Sequence, residues 1–289
     1  MQLLHTLGEI VWTADPTAFS IGDFDIRWYG IAYFTMFLVG YFMMKNIYEQ
    51  EGKTEKQLDK LIFYMMGAVI IGGRLGHVLF YAPEYYLTSE HWLEIFALRD
   101  GGMASHGATF AIFLVLVWYS KKEKDISLLW VTDRLLIAIA LGAMLIRLGN
   151  LMNHEIVGHP TDVSWGFVFM RRVSDLGMEP RHPAQLYEAI AYFILFIGMI
   201  WAYFVRGFRK PQGLLTGVFV TYLFTARFFI EYTKLEQSHY ENNTLFSVGQ
   251  WLSFPLIAIG IYLIVASLQG KYQPPEDSQP GETQTADAS

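Results

Sequence analysis

The sequence predicts an all-α polytopic membrane protein of about seven transmembrane helices, with a small subdomain on the outer face. Three observations carry that prediction. Hydrophobic residues make up 53% of the 289 residues and charged ones only 17%, where a soluble domain carries about 25% charged residues. The apolar residues fall in long blocks, and two of these, Ile126–Ile146 and Gln250–Leu268, each suffice to cross a bilayer, which takes about 20 residues. Lysine and arginine are concentrated in every second connection, the bias that orients membrane helices.

Seven apolar spans are predicted at Tyr29–Lys45, Leu61–Tyr81, Ser105–Ser120, Leu128–Arg147, Gln185–Val205, Gly213–Ile230 and Gln250–Leu268. The first and third are short for a bilayer. Lys45, Lys53, Lys56 and Lys60 follow the first span, Lys121, Lys122 and Lys124 the third, Arg206, Arg209 and Lys210 the fifth, and Lys271 the seventh. The alternate connections are poorer, with Arg27 before the first span, Arg99 after the second and Lys234 after the sixth. This alternation predicts an outer N-terminus and a cytoplasmic C-terminus, and an even number of spans would break it.

The segment Leu148–Ala184 is too polar to span. Its Arg171, Arg172 and Arg181 weigh less in the charge rule because the loop is long. It is the expected outer-face insertion, and the alternation in Trp165–Phe169 predicts a short strand within it. Residues 1–270 are thus expected to form one integral membrane domain. The stretch 271–289, rich in Pro, Glu, Gln and Thr from Gln273 onward, is expected to be a disordered cytoplasmic tail. The opening residues lack the basic and apolar regions of a cleaved signal peptide, so the first span is expected to serve as its own insertion signal. Cysteine is absent. That excludes disulfides, thiolate metal sites and a cysteine nucleophile, so any thiol chemistry must arrive with the substrate.

Polar residues gather at the outer ends of the spans. The fourth ends in Arg147-Leu148-Gly149-Asn150-Leu151-Met152-Asn153-His154-Glu155-Ile156-Val157-Gly158. Arg147 alone reads equally as an arginine snorkelling to the interface. The asparagines, the carboxylate and the glycines that follow are more polar machinery than an anchor needs. Near the end of the sixth span, Arg227 and Glu231 stand four apart on one helix face. They are either an internal ion pair or a guanidinium oriented by a carboxylate to meet a phosphate bidentately. Two guanidiniums at one depth repel unless an anion lies between them, and this is the physical reason to expect a phosphate site.

Gly101-Gly102-Met103-Ala104-Ser105-His106-Gly107 opens the third span. His106 is either structural or a proton acceptor at neutral pH. Arg74, in Gly72-Gly73-Arg74-Leu75-Gly76, is deep in the second span, where a charge is costly and functional by default. The alternative is a buried pair with a carboxylate such as Glu188, in His182-Pro183-Ala184-Gln185-Leu186-Tyr187-Glu188. Tyr29 is either a headgroup donor or an aromatic-belt residue. His154 and His159 stand five apart, one too many for the zinc-protease motif with histidines on one helix face.

These motifs, in this order along the chain, resemble the bacterial prolipoprotein diacylglyceryl transferase family. The block from Arg147 through Asn150, Asn153, Glu155 and Gly158 resembles the family signature. Tyr29-Gly30, Gly73-Arg74-Leu75-Gly76, Gly101-Gly102-Met103 with His106-Gly107, His182-Pro183 with Gln185-Leu186-Tyr187-Glu188, and Arg227 with Glu231 support it. The resemblance covers about Arg27 to Leu268. Lys234 stands where the family often has a second arginine, and lysine keeps the charge but loses the planar fork. Ala108 stands where a second glycine is common.

The resemblance implies a multi-pass enzyme of the bacterial inner membrane. Its donor is phosphatidylglycerol, a membrane lipid, and its acceptor the lipobox cysteine in the signal peptide of a preprolipoprotein. It implies Arg147, Arg227 and His106 as catalytic residues. It implies Arg147, Tyr29, Asn150, Asn153, Glu155, Gly158, Arg74 and Glu231 at the lipid, with no cofactor, no metal and no nucleic-acid partner. A transporter for an anionic solute would use similar intramembrane arginines, but the inverted repeats that many transporters carry are not found. A retinal protein is excluded by the absence of lysine from the seventh span.

Overall fold

The computed structural model describes residues 10–86, 88, 90–97, 101–209, 211–235 and 246–272. Arg99, Lys210 and the predicted tail from residue 273 onward lie outside them. In chain order the elements are β1 (Ile10–Trp12), β2 (Thr17–Ile21), β3 (Phe24–Arg27), α1 (Trp28–Gln50), α2 (Glu55–Phe80), α3 (Pro83–Tyr86), a 3₁₀ turn at Trp92–Phe96, α4 (Ser105–Lys122) and α5 (Leu128–Met152). There follow β4 (Phe167–Phe169), α6 (Val173–Leu176), α7 (Ala184–Ile200) running into a π turn at Trp201–Val205, α8 (Leu214–Glu231) and α9 (Val248–Leu268).

Among the described residues, seven long helices fall on the seven predicted spans. Five of them, α2, α5, α7 with its π turn, α8 and α9, are long and apolar enough to cross a membrane, and the chain is a multi-pass membrane protein. In α1 the apolar run is diluted by tyrosine and glycine, and in α4 by Ser105, His106, Gly107 and the closing Ser120-Lys121-Lys122. Local sequence sets several helix starts. Thr54 and Gln57 form a reciprocal capping box at α2, as Ser247 and Gln250 do at α9, and each box satisfies N–H groups the first turn leaves open. Pro183 precedes α7, where its missing N–H and fixed φ cost nothing.

The fold divides into two compact units, Leu38–Ala138 on one hand and Met1–Phe37 with Ile139–Ser289 on the other. In the first unit α2 and α4 approach until their backbones nearly touch. A Cβ on Gly76 would lie 2.8 Å from Gly107 Cα, so only small residues permit the crossing, as is common where membrane helices associate. Arg134 is buried in the same unit, with Nη2 2.8 Å from Glu51 Oε2, and Trp130 Nε1 donates to the same carboxylate at 2.7 Å. A buried charge of this kind requires a partner.

The second unit carries the polar insertion. The strand predicted at Trp165–Phe169 is present as β4, and it pairs in parallel with β1, Ile10 opposite Phe167 and Trp12 opposite Phe169. Leu151, Val157, Phe167 and Phe169 form a small core beneath this pair, with Trp12, Leu176, Leu186 and Leu235 packed against it. β2 and β3 make an antiparallel hairpin that leads directly into α1. The amino-terminal strands have no counterpart among the sequence expectations.

Candidate active site

Helix α5 runs five residues beyond the predicted end of its span, to Met152, so Arg147 and Asn150 stand one turn apart on the same helix. The helix closes in a Schellman motif. Glu155 N–H donates to Asn150 O at 2.9 Å and His154 N–H to Leu151 O at 3.2 Å, with His154 in the left-handed region at φ 56°. Glycine usually fills that place, though histidine is among the residues that tolerate it. Two residues on, Ile156 is again left-handed, at φ 55°, which for a β-branched side chain is a strained conformation.

The surroundings hold this strain in place. The buried His154 ring lies 2.9 Å, Nε2 to O, from the Ala14 carbonyl. Arg172 donates to His154 O at 3.2 Å, and Gln185 Nε2 donates to Glu155 O. Trp12 Nε1 donates to Leu151 O at 3.0 Å. Asp15 anchors the amino-terminal segment. Its carboxyl is held below the usual range by the backbone N–H of Thr17 and by Arg171, which sits 2.7 Å away.

The loop ends at Gly158, where three segments meet. Gly158 N–H donates to His182 O and His159 N–H to Thr233 O, each at 2.9 Å, and Gly158 pairs as an isolated antiparallel bridge with Lys234. A Cβ on Gly158 would lie 2.6 Å from His182 O, so no larger residue fits without moving this crossing. The crossing turns Lys234 inward, although it lies beyond the end of α8.

A continuous polar network results. Arg147 Nη1 donates to Asn150 Oδ1 at 3.3 Å, and Asn150 Nδ2 donates to Glu155 Oε2 at 2.9 Å. Asn153 Nδ2 donates to the other Glu155 oxygen at 3.1 Å. Arg147 Nε also lies 2.9 Å from Oε2 of Glu188, whose side chain is 0% exposed. The pair is close but out of hydrogen-bond alignment. Glu188 Oε1 accepts from Lys234 Nζ at 2.9 Å, and Lys234 also reaches Glu231 Oε2 at 3.3 Å. Tyr192, a turn beyond Glu188 on α7, lies within electrostatic reach of Arg147, Arg227 and Glu188 together. Arg227 itself is exposed and makes no hydrogen bond or ion pair with the described residues. Tyr29 packs its ring on Gly149, 2.6 Å from where a Cβ would stand, and its hydroxyl lies 3.5 Å from that of Tyr33.

Arg147, Arg227, Tyr29, Asn150, Asn153, Glu155, Gly158 and Glu231 all belong to this one unit. One expectation is corrected. Glu231 partners Lys234 rather than Arg227, because the chain leaves the helix after Glu231 and returns Lys234 to it. In the other unit, Arg74 donates from Nε to Ile95 O at 2.8 Å, from Nη1 to Gly101 O at 2.6 Å, and from Nη2 to Glu94 O. His106 also lies in that unit, exposed, with its ring centroid 5.3 Å from that of Phe80 and 5.6 Å from that of Tyr81. Lys234, Gln185 and Tyr192 escaped the sequence reading as site residues. The signal for Gln185 and Glu188 was their i, i+3 spacing on the first turn of α7, which puts both on one face.

Beside the network, His182 Nδ1 lies 3.0 Å from Tyr187 Oη, which also accepts from Trp165 Nε1 at 2.9 Å. Burial, and secondarily the neighbouring His159, lower the His182 pKa from its ordinary 6.5, so the ring is neutral at neutral pH.

The chemistry on offer is anion binding at the C-terminal ends of α5 and α8, and comparison with known proteins decides its family. The model of the prolipoprotein diacylglyceryl transferases matches residues 16–266. The chain belongs to the prolipoprotein diacylglyceryl transferase family. A phosphatidylglycerol–prolipoprotein diacylglyceryl transferase of Chloroherpeton thalassium is 44% identical over 266 residues, 92% of this chain and 97% of that relative. One of Tolumonas auensis is 44% identical over 262 residues, covering 91% and 99%. One of Bacteroides fragilis is 41% identical over 270 residues, covering 90% and 96%. The match runs from the hairpin β2–β3 to the last turn of α9, and so includes every residue of the Arg147–Glu188–Lys234 network.

Proposed function

We propose that this diacylglyceryl transferase family member moves the diacylglyceryl group of phosphatidylglycerol onto the lipobox cysteine of a preprolipoprotein in the bacterial inner membrane. All seven long helices cross the bilayer in this reading, with the N-terminus and the 148–184 insertion on the outer side. The observation that carries the chemistry is a pair of guanidiniums on different helices of one unit, Arg147 and Arg227, both near Tyr192, with Arg227 making no hydrogen bond or ion pair with the described residues. An uncompensated charge of this kind at a membrane boundary calls for an anionic ligand.

The thiol loses its proton, and the sulfur attacks the glyceryl carbon that bears the phosphate. A C–S bond forms and the C–O bond breaks. Glycerol phosphate departs with the bonding pair, so its phosphate gains one negative charge. Arg147 and Arg227 clamp the phosphate and stabilise that developing charge, as preorganised donors do. His106 takes the thiol proton. Asn150, Asn153, Glu155, Gly158 and Tyr29 shape the headgroup site. Arg74 and Glu231 hold their neighbours in position, Arg74 through carbonyls and Glu231 through Lys234.

The test uses the purified full chain with phosphatidylglycerol labelled in its acyl chains or its headgroup, and a lipobox peptide. Acyl label on the peptide and headgroup label in water-soluble glycerol phosphate are expected. Uptake of label into vesicles without peptide modification would make the chain a transporter instead.

A further inference from the structure

Glu188 is fully buried and holds two cations at once, Arg147 at 2.9 Å on one oxygen and Lys234 at 2.9 Å on the other. Burying one carboxylate against two cations is not needed to stabilise a helix packing, since apolar residues of similar volume do that at least as well. What it does is fix charge. Arg147 and Lys234 are offset by Glu188 and Glu231, and Arg227 has no carboxylate partner among the described residues. Glu155 is exposed, and its oxygens are taken by the amides of Asn150 and Asn153 rather than by a cation. Glu188 also takes Arg147 from the Nε side, 22% of the arginine side chain staying exposed.

The reaction proposed above puts opposing demands on such a site. Its phosphate enters as a diester with one negative charge and leaves as a monoester with close to two. More positive charge would stabilise the transition state and also retain the product. We propose that Glu188 is a positioning residue that limits the positive charge presented by Arg147 and Lys234, matching the site to a phosphodiester monoanion and releasing the phosphate monoester. This rests on the transferase reading.

The experiment measures steady-state transfer by the full chain in phosphatidylglycerol-containing micelles, with added glycerol phosphate as inhibitor. Glu188→Gln keeps the side chain's shape and removes its charge. It is expected to tighten inhibition by glycerol phosphate about tenfold, the weight of one charge-assisted contact, and to lower KM and kcat together. Lys234→Gln should weaken that inhibition by a similar factor, and the double variant should return it to within a few-fold of the unsubstituted protein. Tighter inhibition in Glu188→Gln with reversal in the double variant supports the charge-setting role. Inhibition that is weaker or unchanged in Glu188→Gln, or no reversal, overturns it. If Glu188→Gln does not fold, Lys234→Gln alone decides, because unchanged inhibition there refutes the idea. Full transfer by Arg147→Ala would instead refute the underlying clamp, a separate result.

Discussion

Arg74 and Arg147 are both arginines drawn into apolar helices, in different units of the molecule, and the fold treats them in opposite ways. Arg74 is buried and directs Nε, Nη1 and Nη2 to backbone carbonyls of the 94–102 stretch, with its guanidinium 4.9 Å from the centroid of Tyr86. Arg147 is part-exposed, touched at Nε by a misaligned carboxylate and at Nη1 by a long contact to Asn150. An arginine whose donors end on main-chain carbonyls organises a loop. One held from the side, with its outer edge uncommitted, is available to a ligand. Residence in an apolar helix does not separate the two roles, whereas the destination of each N–H does.

Removing each arginine is the strongest way to break this contrast. Arg147→Ala should reduce transfer by about 10³-fold, the weight of a lost transition-state donor, with a thermal midpoint close to that of the unsubstituted protein. Arg74→Ala leaves its carbonyls without donors, at about 1 kcal/mol or more each. It should lower the midpoint by roughly 5–10 °C, while the folded fraction loses far less transfer than Arg147→Ala does. Thermal melts and transfer assays on the same preparations check both, and equal midpoint losses would erase the distinction.

Arg227→Lys tests the partner of Arg147 more gently. The charge survives and the planar fork does not, so transfer should fall by about tenfold to a hundredfold, the weight of one or two charge-assisted contacts. A variant as active as the original would mean that Arg227 acts as a point charge only. Ile156→Gly probes the loop beside Arg147. Relief of the left-handed strain, about 1–2 kcal/mol, is partly offset by the entropy of glycine. Denaturant midpoints should therefore rise slightly while kcat falls, since the preset shape is lost.

The smallest effect is a pH dependence. His182 has a folded pKa below its ordinary 6.5, chiefly through burial. The unfolded chain then binds the proton more readily, and stability is complete above pH 6.5 and declines as pH falls below it. Melts between pH 7.5 and pH 5 should show this decline, and His182→Gln should flatten it.

The five helices that are long and apolar enough to cross a membrane were legible because their apolar blocks reach bilayer length without needing a partner. The residues Arg147, Asn150, Asn153, Glu155 and Gly158 were legible because they crowd one short stretch. The network that joins them was not. Glu231 has Arg227 four residues before it and Lys234 three after, and both spacings suit an ion pair on a helix. Only the turn after α8, fixed by the backbone crossing at Gly158 and Thr233, decides for Lys234. β1 was illegible for another reason. A three-residue strand shows no periodicity, and its partner β4 is remote in sequence.

That remoteness orders the assembly of the site during synthesis. The Trp12 bond to Leu151 joins residues 139 apart, and the Asp15 contact to Arg171 joins residues 156 apart. Chains emerge from the ribosome amino-terminus first, so the earliest segment waits until β4 has been made and delivered to the same side. The Schellman turn and the left-handed Ile156 gain their bracing only then. The loop beside Arg147 is consequently among the last parts of the protein to reach its shape.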